Sequence, residues 1–200
     1  TKFRIVPSGI NYQPNGDQVS RSARPENNKL RVLFAGEVGL RKGVPYLLDA
    51  LHILGPDRVE ARFAGTVAIA ASKLEPYRDV ATFLGPVPYS MMAALYRWAD
   101  VFVLPSICEG SAVVTYEALA AGIPVICTPN TGSIVRHGVD GFIVPIRDAE
   151  AVANRLDHLR AFRLPAIDSP EDTRTPAINF TLEAYGNRLL ESLKTIKQAK

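Results

Sequence analysis

The chain has 200 residues, of which 47% are hydrophobic and 22% are charged, and its formal net charge is +3. This composition is that of a globular protein with a sizeable core, most simply one domain. The mild charge, without a basic block that alternates with aromatic residues, argues against a nucleic-acid surface, and no apolar run is long enough to span a membrane.

The first 29 residues differ in character from the rest of the chain. They begin with an apolar stretch that is typical of a strand arriving from an earlier domain, and residues 11–29 are polar and rich in turn-forming residues. We therefore expect residues 1–29 to be an interdomain crossing and linker, and the chain to be a piece of a longer protein.

Residues 30–162 alternate short apolar runs with stretches of helical periodicity. The apolar runs predict six strands, at 30–36, 59–65, 79–85, 100–105, 123–128 and 141–145. The periodic stretches predict helices at 44–54, 67–78, 89–99, 113–122 and 148–162. This alternation predicts an α/β fold, a doubly wound and Rossmann-like sheet of about six mostly parallel strands with helices on both faces.

The last 38 residues, 163–200, are expected to add a loop and a terminal helix. The loop is predicted at 163–178, where prolines and charged side chains are mixed, and an amphipathic helix at 180–198, interrupted by Gly186.

The cysteines and histidines do not predict a metal site. Cys108 and Cys127 lie in apolar contexts without metal or redox-pair spacing, so we expect two buried thiols in a reducing, cytoplasmic compartment. None of the three histidines has a second ligand at metal spacing. The histidines are His52, His137 and His158.

Two basic residues follow the first predicted strand. Ligands of open α/β sheets bind beyond the carboxyl ends of the strands, and Arg41 and Lys42 lie there, just before Gly43 and the next helix. Cations are unfavourable at a helix N-terminus, so their position makes sense if they hold an anion such as a diphosphate. The alternative is a pair of solvated basic residues on a loop.

Two carboxylates, Glu109 and Glu117, follow the fourth predicted strand with seven residues between them. If Glu109 lies on the strand-to-helix turn, Glu117 in the helix can lean back toward it, because helical side chains point toward the N-terminus. The small residues 110–112 would let a ligand approach the backbone N–H groups. Two separate surface glutamates remain the alternative.

Taken together, these features resemble the C-terminal half of a family 4 (group 1) glycosyltransferase of the GT-B fold, over roughly residues 1–160. The matching stretches are "FAGEVGLRKGVPYLLDAL", "FLGPVPYSMMAALYRWADVFVLPSICEGSAVVTYEALAAGIPVI" and "HGVDGFIVP". The resemblance implies a domain that binds a nucleotide-sugar donor for a retaining hexosyltransferase, with no metal or other cofactor needed for the chemistry.

The resemblance also implies roles for individual residues. Lys42 would contact the donor diphosphate and Glu109 the donor sugar near the reacting carbon, both as catalytic residues. Glu117 would hold the ribose hydroxyls, and the segment around Val87 would touch the base. The remaining expected donor contacts are Gly36, Arg41, Gly110, Ser111, Ala112 and Val113.

Two positions depart from the family pattern. Glu37 stands where the family usually has arginine, and because a carboxylate cannot hold a diphosphate, either Arg41 compensates or Glu37 points away. Residues 110–112 read Gly-Ser-Ala in place of Gly-Phe-Gly, so the preferred donor sugar can differ.

The expected partners follow from the same resemblance. The acceptor would bind the protein's own N-terminal domain, absent from this chain, toward which the terminal helix would pack; the isolated domain would be inactive. Peripheral contact with the inner face of a membrane through that missing domain is left open. Two alternatives are a degenerate, non-catalytic nucleotide-binding or interaction module and a nucleotide-sugar epimerase of the GT-B fold.

Overall fold

The computed structural model describes Gly9, residues 29–162 and residues 181–198. The crossing and linker expected within residues 1–29 lie outside the described residues, apart from Gly9 and Lys29. The loop expected at 163–178 lies outside them altogether. Within the described ranges, no helix combines the length and the apolar character needed to cross a bilayer.

The described part contains six strands and six α-helices, and an α-helix follows each of the first four strands and the last one. The strands are β1 (Leu30–Ala35), β2 (Val59–Ala64), β3 (Ala81–Gly85), β4 (Val101–Leu104), β5 (Val125–Cys127) and β6 (Gly141–Ile143). The α-helices are α1 (Val44–Leu54), α2 (Ala71–Leu74), α3 (Tyr89–Trp98), α4 (Val113–Ala120), α5 (Ala149–Ala161) and α6 (Leu182–Gln198). Short 3₁₀ turns lie at Glu75–Tyr77 and Pro129–Thr131.

The six strands form one all-parallel sheet in the order β3-β2-β1-β4-β5-β6. Helices cover both faces, so the predicted α/β, doubly wound fold class is confirmed. The chain winds outward from β1 to β3, then returns to place β4 on the other side of β1. This reversal between β1 and β4 is the topological switch point at which α/β sheets bind ligands.

The core lies on both faces of the central strands. Every residue of β1 and β4 is buried, as expected for strands covered on both sides. Phe34, Phe63 and Phe83 stand in register on three neighbouring strands, with ring centroids 5.3 Å and 5.0 Å apart. Such contacts bury large apolar area and fix the register of the strands that lead to the switch point.

The amino-terminal edge of the sheet is held by a buried ion pair. The Arg31 guanidinium donates to both carboxylate oxygens of Asp100, at 3.1 Å from Nε and 3.0 Å from Nη2. The Arg31 backbone N–H donates to the same carboxylate, and the Asp100 N–H donates to the Arg31 carbonyl. These bonds join the beginning of β1 to the beginning of β4 at the edge opposite the expected site.

Three expectations were wrong in detail. The helix expected at 67–78 is reduced to α2 and a 3₁₀ turn, because Val67 still pairs with Val38 in a β-bridge and Ala70 is extended. Helix α6 continues through Gly186, since glycine weakens a helix by about 1 kcal/mol but keeps its hydrogen bonds. Cys108 is exposed because it lies on the loop after β4, whereas Cys127 lies inside β5 and is buried.

Candidate functional site

Two loops meet at the switch point, residues 36–43 after β1 and residues 105–112 after β4. Gly43 has a left-handed φ of 72°, and a Cβ added there would stand 1.9 Å from the Pro105 carbonyl oxygen. The Ile107 N–H donates to the Arg41 carbonyl at 2.9 Å. The loops therefore touch through their backbones, and only glycine fits at position 43.

The side chains of these loops form a three-residue charge cluster, Arg41, Lys42 and Glu109. The Lys42 Nζ lies 3.0 Å from Glu109 Oε1, and the Arg41 Nη1 donates to the same oxygen. The Lys42 and Glu109 side chains are 11% and 10% exposed, whereas that of Arg41 is 55% exposed. One carboxylate thus pairs with both cations of the loop after β1, and only the Lys42–Glu109 part of the cluster is largely shielded from solvent.

Gly36 leaves room beside Lys42. A Cβ added at Gly36 would lie 3.5 Å from Lys42 Cε and 3.9 Å from Nζ, and Gly36 has a φ of 134°. The neighbouring Glu37 is exposed, and its Oε1 lies 3.1 Å from where a Cβ on Gly39 would be. Among the described residues Glu37 forms no ion pair with Lys42 or Arg41, so its carboxylate is directed away from the cations.

The turn after β5 supports the loop that carries Glu109. Thr128 Oγ1 donates to the Ser106 carbonyl at 2.5 Å, and Thr131 Oγ1 donates to the Leu104 carbonyl at 3.1 Å. Asn130 accepts from the Glu109 N–H and donates from Nδ2 to the Ile107 carbonyl, each at 2.9 Å. The polar side chains of this turn therefore brace the Glu109 loop.

Glu117 lies in α4 and is turned toward α3. Its carboxylate Oε2 accepts a hydrogen bond from the Tyr96 hydroxyl at 2.9 Å, and Glu117 is only 7% exposed. Burial raises the pKa of Glu117, and the Tyr96 hydrogen bond partly offsets that rise. Burial and the negative charge of Glu117 together raise the pKa of Tyr89, which begins α3.

The partner of Glu117 was missed by sequence reasoning. Tyr96 is 21 positions away on another helix, and only the packing of α3 beside α4 brings the two together. The expected lean of Glu117 toward the Glu109 turn stays a prediction beside this bond. Val87, expected near a base, is half-buried in the loop between β3 and α3, two residues before Tyr89.

Some backbone N–H groups of the Glu109 loop already donate hydrogen bonds within the protein, and others do not. The Ala112 N–H donates to the Thr131 carbonyl at 3.2 Å, so this amide, expected to face a ligand, is already bonded. Within the described ranges, no residue accepts from the N–H of Gly110 or Ser111. Helix α4 begins at Val113 with no side-chain cap and no acidic residue in its first turn, which leaves its N-terminus suited to an anion.

The arrangement can bind an anion next to hydroxyl groups. Arg41 and Lys42 supply two cations, the α4 N-terminus and the Gly110 amide supply donors, and Glu117 supplies a buried acceptor. In the parts of the chain that the structure describes, no three His, Cys, Asp or Glu side chains come together as a metal site requires.

Comparison with known proteins gives three findings. An uncharacterized glycosyltransferase from Methanocaldococcus jannaschii is 30% identical over 178 residues, which cover 79% of this chain and 45% of that protein. Sucrose-phosphate synthase from Thermosynechococcus elongatus superposes with a TM-score of 0.79 at 25% identity, covering 98% of this chain and 53% of that one. Anabaena HepE, solved with UDP-glucose, superposes with a TM-score of 0.70 at 23% identity, covering 84% of this chain and 49% of that one.

The fold defines the class of protein, a Rossmann-like α/β domain. The family follows from the match of residues 29–161 to the model of the glycosyl transferases group 1, and the chain belongs to that family. It spans about half the length of the curated relatives it matches. It has the GT-B fold and corresponds to the family's C-terminal domain, as the sequence motifs predicted.

Proposed function

We propose that this domain binds a nucleoside-diphosphate sugar and that, within a longer protein, it serves as the donor half of a retaining glycosyltransferase that transfers a hexose. One observation carries the proposal. Arg41 and Lys42 converge with Glu109 at the switch point of the sheet, where the family places its donor. The acceptor would be bound by the other half of the protein.

In this proposal the diphosphate lies against Arg41, Lys42 and the N-terminus of α4. Both cations would stabilise the negative charge that develops on the departing nucleoside diphosphate, and they are held in place before the reaction begins. Arg41 takes over the part that an arginine at position 37 would have played, since Glu37 is directed away from the cations. Gly36 lets the diphosphate approach Lys42.

The two glutamates have different tasks in the proposal. Glu117 accepts hydrogen bonds from the ribose hydroxyls, a suitable role for a fixed carboxylate. Glu109 contacts the donor sugar near the reacting carbon. The base lies toward Val87. Ser111 and Ala112, which stand where the family has Phe and Gly, line the sugar's side of the loop.

Uridine nucleotides are the first ligands to test for binding. The Anabaena neighbour was solved with UDP-glucose, and although its 23% identity speaks for the fold alone, it selects the first ligand to test. Isothermal titration calorimetry of the 200-residue chain with UDP, GDP and ADP, each at millimolar concentration, is the direct experiment. Measurable binding of one of them supports the proposal, and no binding by any of them contradicts it.

Variants show whether binding takes place at this site. Lys42→Ala and Glu117→Gln should each weaken the nucleotide that binds, because one removes a cation at the diphosphate and the other weakens the ribose acceptor. Lys194→Ala on α6 is the matched control, since it removes an exposed cation whose ion pair within the described part of the chain is with Glu191. Equal affinities in Lys42→Ala and in the control would contradict the assignment.

Activity of the full-length protein separates the alternatives. Transfer of a hexose with retained anomeric configuration supports the proposed reaction. Nucleotide binding without transfer would favour a non-catalytic module, and isomerisation of the donor without an acceptor would favour an epimerase.

A further inference from the structure

In the Arg41, Lys42 and Glu109 cluster, the Glu109 carboxylate would compete with a bound diphosphate for the same two cations. Both cations are bonded to a single oxygen of Glu109, and neither Lys42 nor Glu109 is more than 11% exposed. A diphosphate that binds to Arg41 and Lys42 therefore competes with this carboxylate for their N–H donors. A shared cation pair makes the two anions competitors, because each stabilises the cations at the other's expense.

We propose that Glu109 is a specificity-determining residue, which weakens the binding of a free nucleoside diphosphate and favours the intact nucleotide sugar. The proposal rests on the function proposed above and adds a selection between donor and product. When a diphosphate takes the cations, the Glu109 carboxylate loses its partners. A donor sugar offers hydroxyl groups that donate to the released carboxylate, whereas a free nucleoside diphosphate has only its ribose hydroxyls, which Glu117 binds in the proposed function.

The loop geometry allows the carboxylate to move alone. The backbone at Glu109 and just before it is held by the Glu109 N–H bond to Asn130 and by the Ile107 N–H bond to Arg41. Rotation about the Glu109 side-chain bonds therefore frees the cations without displacing the loop. The next residue, Gly110, has open space around the position of a Cβ, so the side chain has room on that side.

The difference in charge between a nucleoside diphosphate and a nucleotide sugar also favours binding of the nucleotide sugar. A nucleoside diphosphate, whose terminal phosphate has no ester bond, carries more negative charge than a nucleotide sugar, in which that phosphate is esterified to the sugar. Glu109 is 10% exposed, so solvent screens little of its repulsion toward an anion on the same cations. Repulsion is thus strongest for the product of transfer, which aids its release.

The decisive variant is Glu109→Gln, which keeps the shape of the side chain and removes its charge. Affinities for UDP and UDP-glucose, or for the corresponding pair with the base that the wild-type chain selects, are measured by calorimetry. We expect UDP to bind about tenfold more tightly to the variant, because a charge-assisted competitor is gone. UDP-glucose should gain much less, since the variant also loses the carboxylate that accepts from the sugar.

Two controls isolate the cause. Glu75→Gln removes an exposed carboxylate that pairs with Arg78 and makes the same change in net charge, so it should leave both affinities unchanged. In the double variant Arg41→Gln/Glu109→Gln, the gain in UDP affinity should shrink, because one of the contested cations is absent.

The outcomes are distinct. A wild-type chain that binds UDP, with equal or weaker UDP binding in a folded Glu109→Gln variant, overturns this inference and leaves the proposed function standing. No nucleotide binding by the wild type overturns both. If Glu109→Gln does not fold, NMR of the wild-type chain replaces it: the Glu109 carboxyl carbon signal should shift when inorganic pyrophosphate is added, and an unchanged signal alongside shifted Lys42 signals overturns the inference.

Discussion

Replacing Gly43 by alanine tests whether the contact between the two switch-point loops builds the site. The left-handed φ of 72° costs a non-glycine residue about 1–2 kcal/mol. The added Cβ would also stand 1.9 Å from the Pro105 carbonyl oxygen, far inside contact distance, so the loops must separate. Such overpacking adds about 1–3 kcal/mol, for a total loss of about 2–5 kcal/mol in the free energy of unfolding.

Gly122→Ala is the matched control for this prediction. Its φ is 73°, almost that of Gly43, but no atom lies within 4 Å of an added Cβ. Gly122→Ala should therefore lose only the conformational part, about 1–2 kcal/mol, and should bind nucleotide as the wild type does. Urea denaturation gives the free energies of unfolding, and calorimetry gives the affinities at a temperature where both variants are folded.

The comparison can refute the reasoning. Gly43→Ala should be less stable than Gly122→Ala and should bind nucleotide more weakly, because Arg41 and Lys42 move with the loop. Equal losses of stability in the two variants, or unchanged binding in Gly43→Ala, would show that the contact with Pro105 does not position the cations.

Three further predictions concern the buried charges and the thiols. Glu117→Gln should raise the free energy of unfolding at neutral pH, because burial raises the folded-state pKa of Glu117 and its ionisation therefore opposes folding. This gain in stability should vanish below the ordinary glutamate pKa, where the wild-type carboxyl is protonated in both the folded and the unfolded state. In urea titrations across this pH range, a gain that grows as the pH falls would contradict the assignment. Asp100→Asn should cost about 3–5 kcal/mol in the same measurement, because it removes the carboxylate to which the buried Arg31 guanidinium donates twice, and nucleotide binding should remain; a loss below 1 kcal/mol would contradict this. Iodoacetamide should modify the exposed Cys108 of the folded chain, as mass spectrometry can detect. Cys127 should react only after urea unfolds the chain, because burial raises its pKa to about 12. Modification of Cys127 in the folded chain would be the contrary result.

The sequence predicted the fold because local signals and global topology agree. Helix α1 was predicted with its observed bounds, since Gly43 and Gly55 stand at its two ends and its apolar residues recur at helical spacing. The strands were predicted because buried parallel strands are continuous apolar runs. The prediction of a helix at 67–78 was wrong because Val67 forms a β-bridge with the distant Val38, and this pairing overrides the local helical periodicity.

The site was only partly predictable. Strand ends place Lys42 and Glu109 at one edge of the sheet, and the structure brings them to 3.0 Å. The sequence did not indicate that Glu109 would pair with both cations, because this pairing depends on how the two loops pack. The bond from Tyr96 to Glu117 also depends on helix packing, and no spacing rule relates residues on different helices.

The measurement that tests the central claim most directly is a crystal structure of the chain with UDP-glucose, or with the nucleotide sugar of the base that binds. The account predicts diphosphate oxygens within hydrogen-bond distance of Lys42 Nζ, ribose hydroxyls on the Glu117 carboxylate, and Glu109 turned from the cations toward the sugar. A nucleotide bound elsewhere, or one at this edge with Lys42 still held by Glu109, would contradict it.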